Sequence, residues 1–267
     1  MVPAEVEQLP GWVTLLRAPN PGPMTLDGTN TWVLRAPGEE FAVVIDPGPL
    51  DEGHLARIAE QGPFLFILVT HGHHDHVEGA ARLSELLGGV HVLAADPRHG
   101  VGAGPLDRDE SLGAAGLEIR VLDTPGHTAD SVCFLVECAG ERVVFTGDTM
   151  LGRGTTVVAW PDGDLGAYLT SLGALTAYEK ILMLPGHGPA LDDCAAVARS
   201  YLDHRRERLA QVRAAVAAGA DSPEAVVAAV YPDIAPGVRF AAEWSVRAQL
   251  EYLRRESQRP LEQLDPL

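Results

Sequence analysis

Up to about residue 200 the chain is a series of short apolar runs cut by glycine and proline. Runs of strand length fall at residues 12–16, 31–34, 41–45, 64–69, 90–93, 117–122, 131–136, 142–145 and 181–184. In the run at 117–122, Leu117, Ile119 and Val121 alternate with Glu118 and Arg120, the mark of a strand with one buried face. Ala139-Gly140 reads as a hairpin turn between two of these strands. Helices are expected at 51–60, 77–87 and 165–177; in the second, Val77, Ala80, Leu83 and Leu87 keep helical spacing. Asp164 closes the loop Trp160-Pro161-Asp162-Gly163-Asp164 as a candidate N-cap, and that loop is a candidate cleft rim. Strands followed by helices, repeated, predict an α/β fold.

Near residue 200 the pattern changes. One helix is expected from near Asp192 through Val216, ended by Gly219, and Ser222-Pro223-Glu224 restarts the next with an N-cap serine. A third follows Pro236-Gly237, with Phe240, Trp244, Ala248 and Leu250 mostly on one side. The expected organisation is a catalytic domain over residues 1–200 and a small helical cap over 201–267.

At 267 residues and 46% hydrophobic content, the chain is long and apolar enough for a full core. No apolar stretch approaches membrane-spanning length, so no membrane association is expected. The opening Met1-Val2-Pro3-Ala4-Glu5 carries neither a basic nor an apolar leader segment. Cys133, Cys138 and Cys194 lack metal-ligand spacing, and Cys133 is expected to pack as a small hydrophobe; a reducing cytoplasm fits best. The net charge of −17 argues against a protein that grips nucleic acid through phosphates. Two bound divalent ions would offset only about four of those charges. Arg205, Arg206, Arg208, Arg213, Arg247, Arg254, Arg255 and Arg259 gather late but alternate with Glu207, Glu243, Glu251 and Glu256, as on an ion-paired helix surface.

The chemistry is concentrated in His71-Gly72-His73-His74-Asp75-His76, directly after the apolar run at 64–69 and Thr70. Imidazole nitrogens and carboxylate oxygens are ligands that Zn²⁺ prefers. Residues two apart on extended chain point the same way, so His71 and His73 can share one ion; Asp75 and His76 follow a turn and face another point. The arrangement suggests two metals. Other strand ends deliver His127 in Thr124-Pro125-Gly126-His127, Asp148 in Thr146-Gly147-Asp148 and His187 in Pro185-Gly186-His187. A neighbouring glycine in each lets the backbone turn tightly.

The cluster, with the later Gly-His, Gly-Asp-Thr and Gly-His motifs and Asp46 in Ile45-Asp46-Pro47-Gly48, resembles the signature of the metallo-β-lactamase-fold hydrolases. That resemblance implies an αβ/βα sandwich of two sheets covered by helices. It implies that His71, His73 and His127 hold a first zinc, that Asp75, His76 and His187 hold a second, and that Asp148 bridges them. Mn²⁺ or Fe²⁺ are alternatives to Zn²⁺ with the same ligands. Asp46 would brace the metal loop, and His74 matches no ligand position. A water shared by two such ions reaches a pKa near 7 and becomes a nucleophile, with Asp75 orienting it as the catalytic carboxylate.

The segments Asn20–Thr31, Gly152-Arg153-Gly154-Thr155-Thr156 and Asp203-His204-Arg205 are similar to the β-lactamase-like endoribonuclease branch, whose C-terminal cap is winged-helix-like. The resemblance implies phosphodiester cleavage in single-stranded RNA. The alternative is a small ester or thioester, as in glyoxalase II relatives; a β-lactam fits less well. Asn30 and Thr31 read as ordinary turn residues, and His204 as a helix-surface residue beside Arg205 that could approach the site. His54, His91 and His99 have no sequence neighbours that suggest a role.

Overall fold

The computed structural model describes residues 3–258, so Met1, Val2, Arg259 and the rest of 259–267 lie outside the described residues. The apolar runs pair into two mixed sheets. In the first, β1 (Val13–Arg17), β2 (Asn30–Leu34) and β3 (Ala42–Ile45) are antiparallel neighbours, and β4 (Phe64–Leu68) and β5 (His91–Leu93) continue in parallel. Helices α1 (Glu52–Ala59), α2 (His74–Val77) and α3 (Ala80–Leu86) connect the parallel strands. The second sheet runs in the order β10 (Leu182–Pro185), β9 (Glu141–Gly147), β8 (Val132–Cys138), β7 (Leu117–Asp123) and β6 (Ser111–Ala114), with only β9 and β10 parallel.

Strand alternation sends one side chain set to each face of a sheet. Trp32, Leu34, Val43 and Ile45 of the first sheet meet Ile119, Val121, Phe134 and Phe145 of the second, with Trp32 and Phe145 edge-to-face at 5.8 Å. The opposite residues of the first sheet, Val33, Val44 and Ile67, pack on Leu55 and Ile58 of α1 and Leu83 of α3. On the second sheet, Cys133, Val144 and Met183 pack on α4 (Leu165–Leu175) and the start of α5 (Cys194–Ala217). The result is the expected sandwich of two sheets between helices.

Two expectations change. The strand Ser111–Ala114 falls outside the runs read as strands; it joins β7 through Ala115 and Gly116, both at positive φ. The helix expected at 77–87 is two helices. A Cβ on Gly79 would lie 2.8 Å from Leu55 Cδ2, and the Gly79 amide donates to the Gly48 carbonyl at 2.9 Å, so the chain bends there against α1. The first of the two starts at His74, inside the histidine cluster.

The C-terminal part is helical: α5 continues into it, followed by α6 (Pro223–Val230), capped by Ser222, and α7 (Arg239–Ser257). Val212, Val226, Val227, Ala242 and Val246 form its own small core. Among the described residues no strand follows β10. On α7 the buried residues include Ala241, Ala242, Ser245, Val246 and Ala248, whereas Phe240 and Trp244 are exposed, so the side that groups Phe240, Trp244 and Ala248 is divided between core and surface. The late arginines do pair with acids, as in Arg213–Glu256, Arg247–Glu224 and Arg254–Glu251. Arg205 and Arg208 make no ion pair among the described residues: Arg205 is buried, and Arg208 donates to the Val230 carbonyl and lies over the Tyr231 ring. All three cysteines are buried and free.

Candidate metal centre

The segments that follow β4, β7, β9 and β10 contribute to a single cleft. His71 and His73 follow β4 on extended backbone, and His73 (φ −69°, ψ 141°) is the last residue before α2 begins. Their nitrogens converge with that of His127: His71 Nε2 and His127 Nε2 lie 3.1 and 3.0 Å from His73 Nδ1. The first turn of α2 redirects Asp75 and His76 to a second point shared with His187. There His187 Nε2 is 3.1 Å from Asp75 Oδ2 and 3.2 Å from His76 Nε2. Asp148, from the end of β9, stands between the groups, with Oδ1 3.4 Å from His76 Nε2 and Oδ2 3.3 Å from His187 Nε2. All seven residues singled out from the sequence are thus brought together, in three groups whose ligand atoms lie within 4.8 Å of one another. His74 is exposed and belongs to none of them.

Hydrogen bonds on the far side of each ring fix which nitrogen faces inward. Thr70 Oγ1 gives its proton to Asp46 Oδ2 (2.7 Å), so its contact with His71 Nδ1 (3.0 Å) makes that nitrogen the donor. Likewise His76 Nδ1 donates to Asp46 Oδ2 (2.7 Å), His127 Nδ1 to the Val157 carbonyl (2.6 Å) and His187 Nδ1 to the Gly28 carbonyl (3.3 Å). Four rings therefore aim Nε2 into the cleft, the arrangement by which outer partners orient metal-binding imidazoles.

Asp46 accepts at both oxygens, from the Thr70 amide (2.8 Å), the Thr70 hydroxyl and His76. Its backbone is left-handed (φ 54°), a conformation worth of order 1–3 kcal/mol of strain and held here by surrounding bonds. Gly186 is required by crowding: a Cβ there would sit 2.6 Å from both Asp148 Oδ1 and His76 Cε1.

Electrostatics divide the centre. Burial holds His71 well below the ordinary histidine range, His73 below it and His127 down to about 4, despite Asp148 nearby. At the second point burial also disfavours charge on His76 and His187. There the carboxylates prevail, Asp75 and Asp148 raising His76 well above its usual range, and Asp148 raising His187 to about 9. Burial opposes ionisation of Asp75 and Asp148 too, but His76 and His187 hold both carboxyls below the usual range. This point attracts positive charge, yet two protonated nitrogens facing each other at 3.2 Å would repel. One divalent cation satisfies both nitrogens and both carboxylates. Asp148 Oδ1, buried with no hydrogen-bond partner, fits the same conclusion. The donor set suits a pair of metal ions.

Several supporting residues were misread from the sequence. Asn30 and Thr31, read as turn residues although the strand run at 31–34 already included Thr31, are buried strand residues. Asn30 Nδ2 donates to the carbonyls of Pro185 (3.0 Å) and Gly188 (2.9 Å), tying down the His187 loop. Thr31 Oγ1 donates to the Asp46 carbonyl (2.6 Å). The Thr29 hydroxyl donates to Asp75 Oδ2 (3.1 Å). Arg205, rather than the half-buried His204, reaches the centre: its guanidinium donates to the Thr156 carbonyl and lies 5.2 Å from the centre of the Tyr168 ring. The Thr156 hydroxyl in turn contacts His127 Nδ1 at 3.2 Å. The loop at 160–164 packs along α7 beside Ala248 and Tyr252 and against the His127 turn, where the Asp164 amide donates to the Gly126 carbonyl at 3.0 Å, and Asp164 caps α4 as expected. His99 belongs to a separate, half-buried group with Asp96 and Asp130, where Arg98 already holds Asp96 at 2.8 Å.

His54 also has a role. Thr31 uses its own proton on Asp46, so His54 Nε2 donates to Thr31 Oγ1 (2.9 Å) and His54 Nδ1 accepts from Arg57 (3.1 Å). The ring is neutral, its pKa lowered to about 4 by burial first and Arg57 second, against Asp51. Between about pH 6.5 and 4 the unfolded chain binds a proton here that the folded chain refuses, so stability falls as pH drops through that window. His54→Gln keeps a donor and an acceptor without titrating. Urea midpoints of the two proteins should converge or cross on acidification, with a relative loss for the native chain of up to about 3 kcal/mol. A difference independent of pH would mean that His54 titrates normally.

A sandwich of two sheets with His and Asp clusters at its strand ends defines the class, a metal-dependent hydrolase. The chain belongs to the metallo-beta-lactamase superfamily, whose sequence model it matches over residues 24–187. It is 30% identical over 261 residues to the Beta-lactamase-like protein 2 homolog of Caenorhabditis elegans, covering 93% of this chain and 86% of that protein. The Atrochrysone carboxyl ACP thioesterase of Aspergillus chevalieri is 34% identical over 219 residues, 79% of this chain and 68% of that protein. The lactamase-like protein adaB of Aspergillus niger is also 34% identical, over 79% of this chain but only 66% of its own length. Among solved structures, a metallo-beta-lactamase family protein from Thermus thermophilus superposes with a TM-score of 0.76 at 24% identity, covering 94% and 95% of the two chains. TTHA1623, solved in a di-iron-bound form, matches with a TM-score of 0.52 at 28% identity over 67% of this chain and 94% of its own.

Proposed function

We propose that the chain is a dinuclear metal hydrolase acting on an acyl thioester or ester. The observation that carries this reading is the cleft above the histidines, about 300 Å³ in volume. Arg153 is the one arginine or lysine among the described residues lining it, and that side chain is already paired with Asp27 at 3.2 Å. A polyphosphate backbone is held by several free cations, whereas an uncharged ester needs none. The thioesterase name carried by a relative supports the same class.

In this reading His71, His73 and His127 would hold one ion and Asp75, His76 and His187 the other, with Asp148 placed to serve both. Zn²⁺ suits these ligands; Fe²⁺ and Mn²⁺ are accepted by the same set, and the di-iron form of TTHA1623 supports iron. When bound, the ions supply a water of lowered pKa and polarise the carbonyl. Asp75, steadied by the Thr29 hydroxyl, accepts a hydrogen bond from the attacking water and fixes its direction. The outer hydrogen bonds of Asp46, Val157 and Gly28 keep the rings aligned.

A second reading retains single-stranded RNA as substrate, with the helical part as a winged-helix-like strand-binding cap. Its support is the resemblance over nearly the whole chain; the paired Arg153 and the net charge of −17 weigh against it. The test is side-by-side assay of Zn²⁺- and Fe²⁺-loaded protein on an octanoyl thioester and on end-labelled single-stranded RNA. Thioester hydrolysis lost on chelation, without RNA cleavage, is expected. Chelator-sensitive RNA cleavage without thioester turnover would overturn the thioester reading.

A further inference from the structure

The exposed aromatic pair on α7 has no partner in the helical core behind it. Phe240 and Trp244 stack edge-to-face at 5.0 Å and are 41% and 38% exposed, although the rest of α7 buries small side chains. Trp244 lines the same cleft as His73, Asp75, His127, Asp148 and His187. The wall around it is apolar: Met24 and Leu26 come from the loop before β2, and Leu151, Val157 and Ala159 from the segment after Asp148. An indole left partly exposed over such a wall is a ready surface for an apolar ligand.

We infer that Trp244, Met24, Leu26, Leu151, Val157 and Ala159 form a binding site for the apolar acyl portion of the substrate, so that the C-terminal helices select the acyl group. This rests on the thioester reading for the reaction but not for the binding site itself. Size sets the ligand. A cleft of about 300 Å³ lies at the small end of the range for small-molecule sites. A medium-length or single-ring acyl group fits; an acetyl group leaves the wall bare. The scissile carbonyl would lie at the histidine floor and the thiol carrier at the open mouth, beside exposed Arg153 and Asp27.

The test uses a series of acyl N-acetylcysteamine thioesters from acetyl to dodecanoyl with the metal-loaded full chain. For the native protein, kcat/KM should rise about fourfold per added methylene up to about eight carbons, the increment expected for each CH₂ leaving water. In Trp244→Ala the rise should flatten, mainly through KM, and Trp244→Phe should restore most of it. Trp244 is partly exposed, so these variants are expected to fold. Independently of turnover, octanoate binding followed by calorimetry should weaken at least tenfold in Trp244→Ala. A chain-length profile or octanoate affinity unchanged by Trp244→Ala would overturn the acyl site. Octanoate binding that depends on Trp244, with no thioester turned over, would instead leave the site standing and remove the proposed reaction.

Discussion

Asp148→Ala is expected to lower kcat/KM a thousandfold or more and to reduce bound metal from two ions per chain to one or fewer. The carboxylate stands between both halves of the centre, 3.4 and 3.3 Å from His76 Nε2 and His187 Nε2 in one and 3.9 Å from His127 Nε2 in the other. A water that enters the space it leaves carries no charge to hold the two ions together. An ion acting as a Lewis acid contributes several kcal/mol to the transition state, and about 1.4 kcal/mol corresponds to each factor of ten. Losing about 4 kcal/mol therefore gives the thousandfold estimate. The fold should survive, because Asp148 makes its contacts to the site and not to the hydrophobic layers. Metal content by elemental analysis, read beside kcat/KM, checks this. Two tightly held ions in the variant would mean that Asp148 does not bridge.

The metal-free protein carries an opposing electrostatic balance at this point. Asp148→Ala also removes a charge that raises His76 and His187 and opposes the lowering of His71, His73 and His127. All five rings then shift toward the neutral form. The variant's remaining affinity should consequently fall less steeply with acid than that of the native chain, since fewer protons compete for the nitrogens.

The candidate ligands were legible in the sequence because their chemistry is local. Four histidines and an aspartate within six residues, and single residues at strand ends beside glycine, announce themselves by type and spacing. What holds them is not local. His54 reaches Asp46 only through Thr31, and Arg205 reaches His127 only through Thr156, across contacts that no sequence window spans. Asn30 and Thr31 did carry a signal, two polar residues opening an apolar strand, but it fits a turn equally well. The misplaced elements have similar causes. Ser111–Ala114 offers little β-branched or aromatic character, although Ala115-Gly116 repeats the turn chemistry seen at Ala139-Gly140. On α7, periodicity grouped Phe240 and Trp244 with Ala248 and Leu250 but did not say which face is buried. Close packing among short helices selected alanine and serine and left Phe240 and Trp244 outside.

Asp46→Asn, which changes almost no volume, is expected to empty both halves of the centre. Asp46 Oδ1 accepts from the Thr70 amide, so the asparagine oxygen must take that place and its amide nitrogen the other. That nitrogen then points two protons at groups that now donate to Oδ2, the Thr70 hydroxyl and His76 Nδ1. His76 can accept only by moving its own proton to Nε2, where it blocks the second ion. Thr70, accepting from the amide, turns its hydroxyl proton toward His71 Nδ1, and that ring too must carry its proton on Nε2. One atom changed from acceptor to donor thus reverses two tautomers. Loss of such an outer partner typically costs 10–100-fold in metal affinity. Two rings reversed together place the expected loss at about 10³-fold or more, about 4 kcal/mol. Ring-nitrogen chemical shifts of histidine-labelled protein report the tautomers directly, and competition with a chelator reports the affinity. The metal-free variant should melt within a few degrees of the metal-free native chain, because the Thr70 amide bond is kept and the two bonds at Oδ2 are remade with their direction inverted. Native affinity in Asp46→Asn, with both rings still protonated on Nδ1, would show that Asp46 supplies charge to the centre and not proton direction.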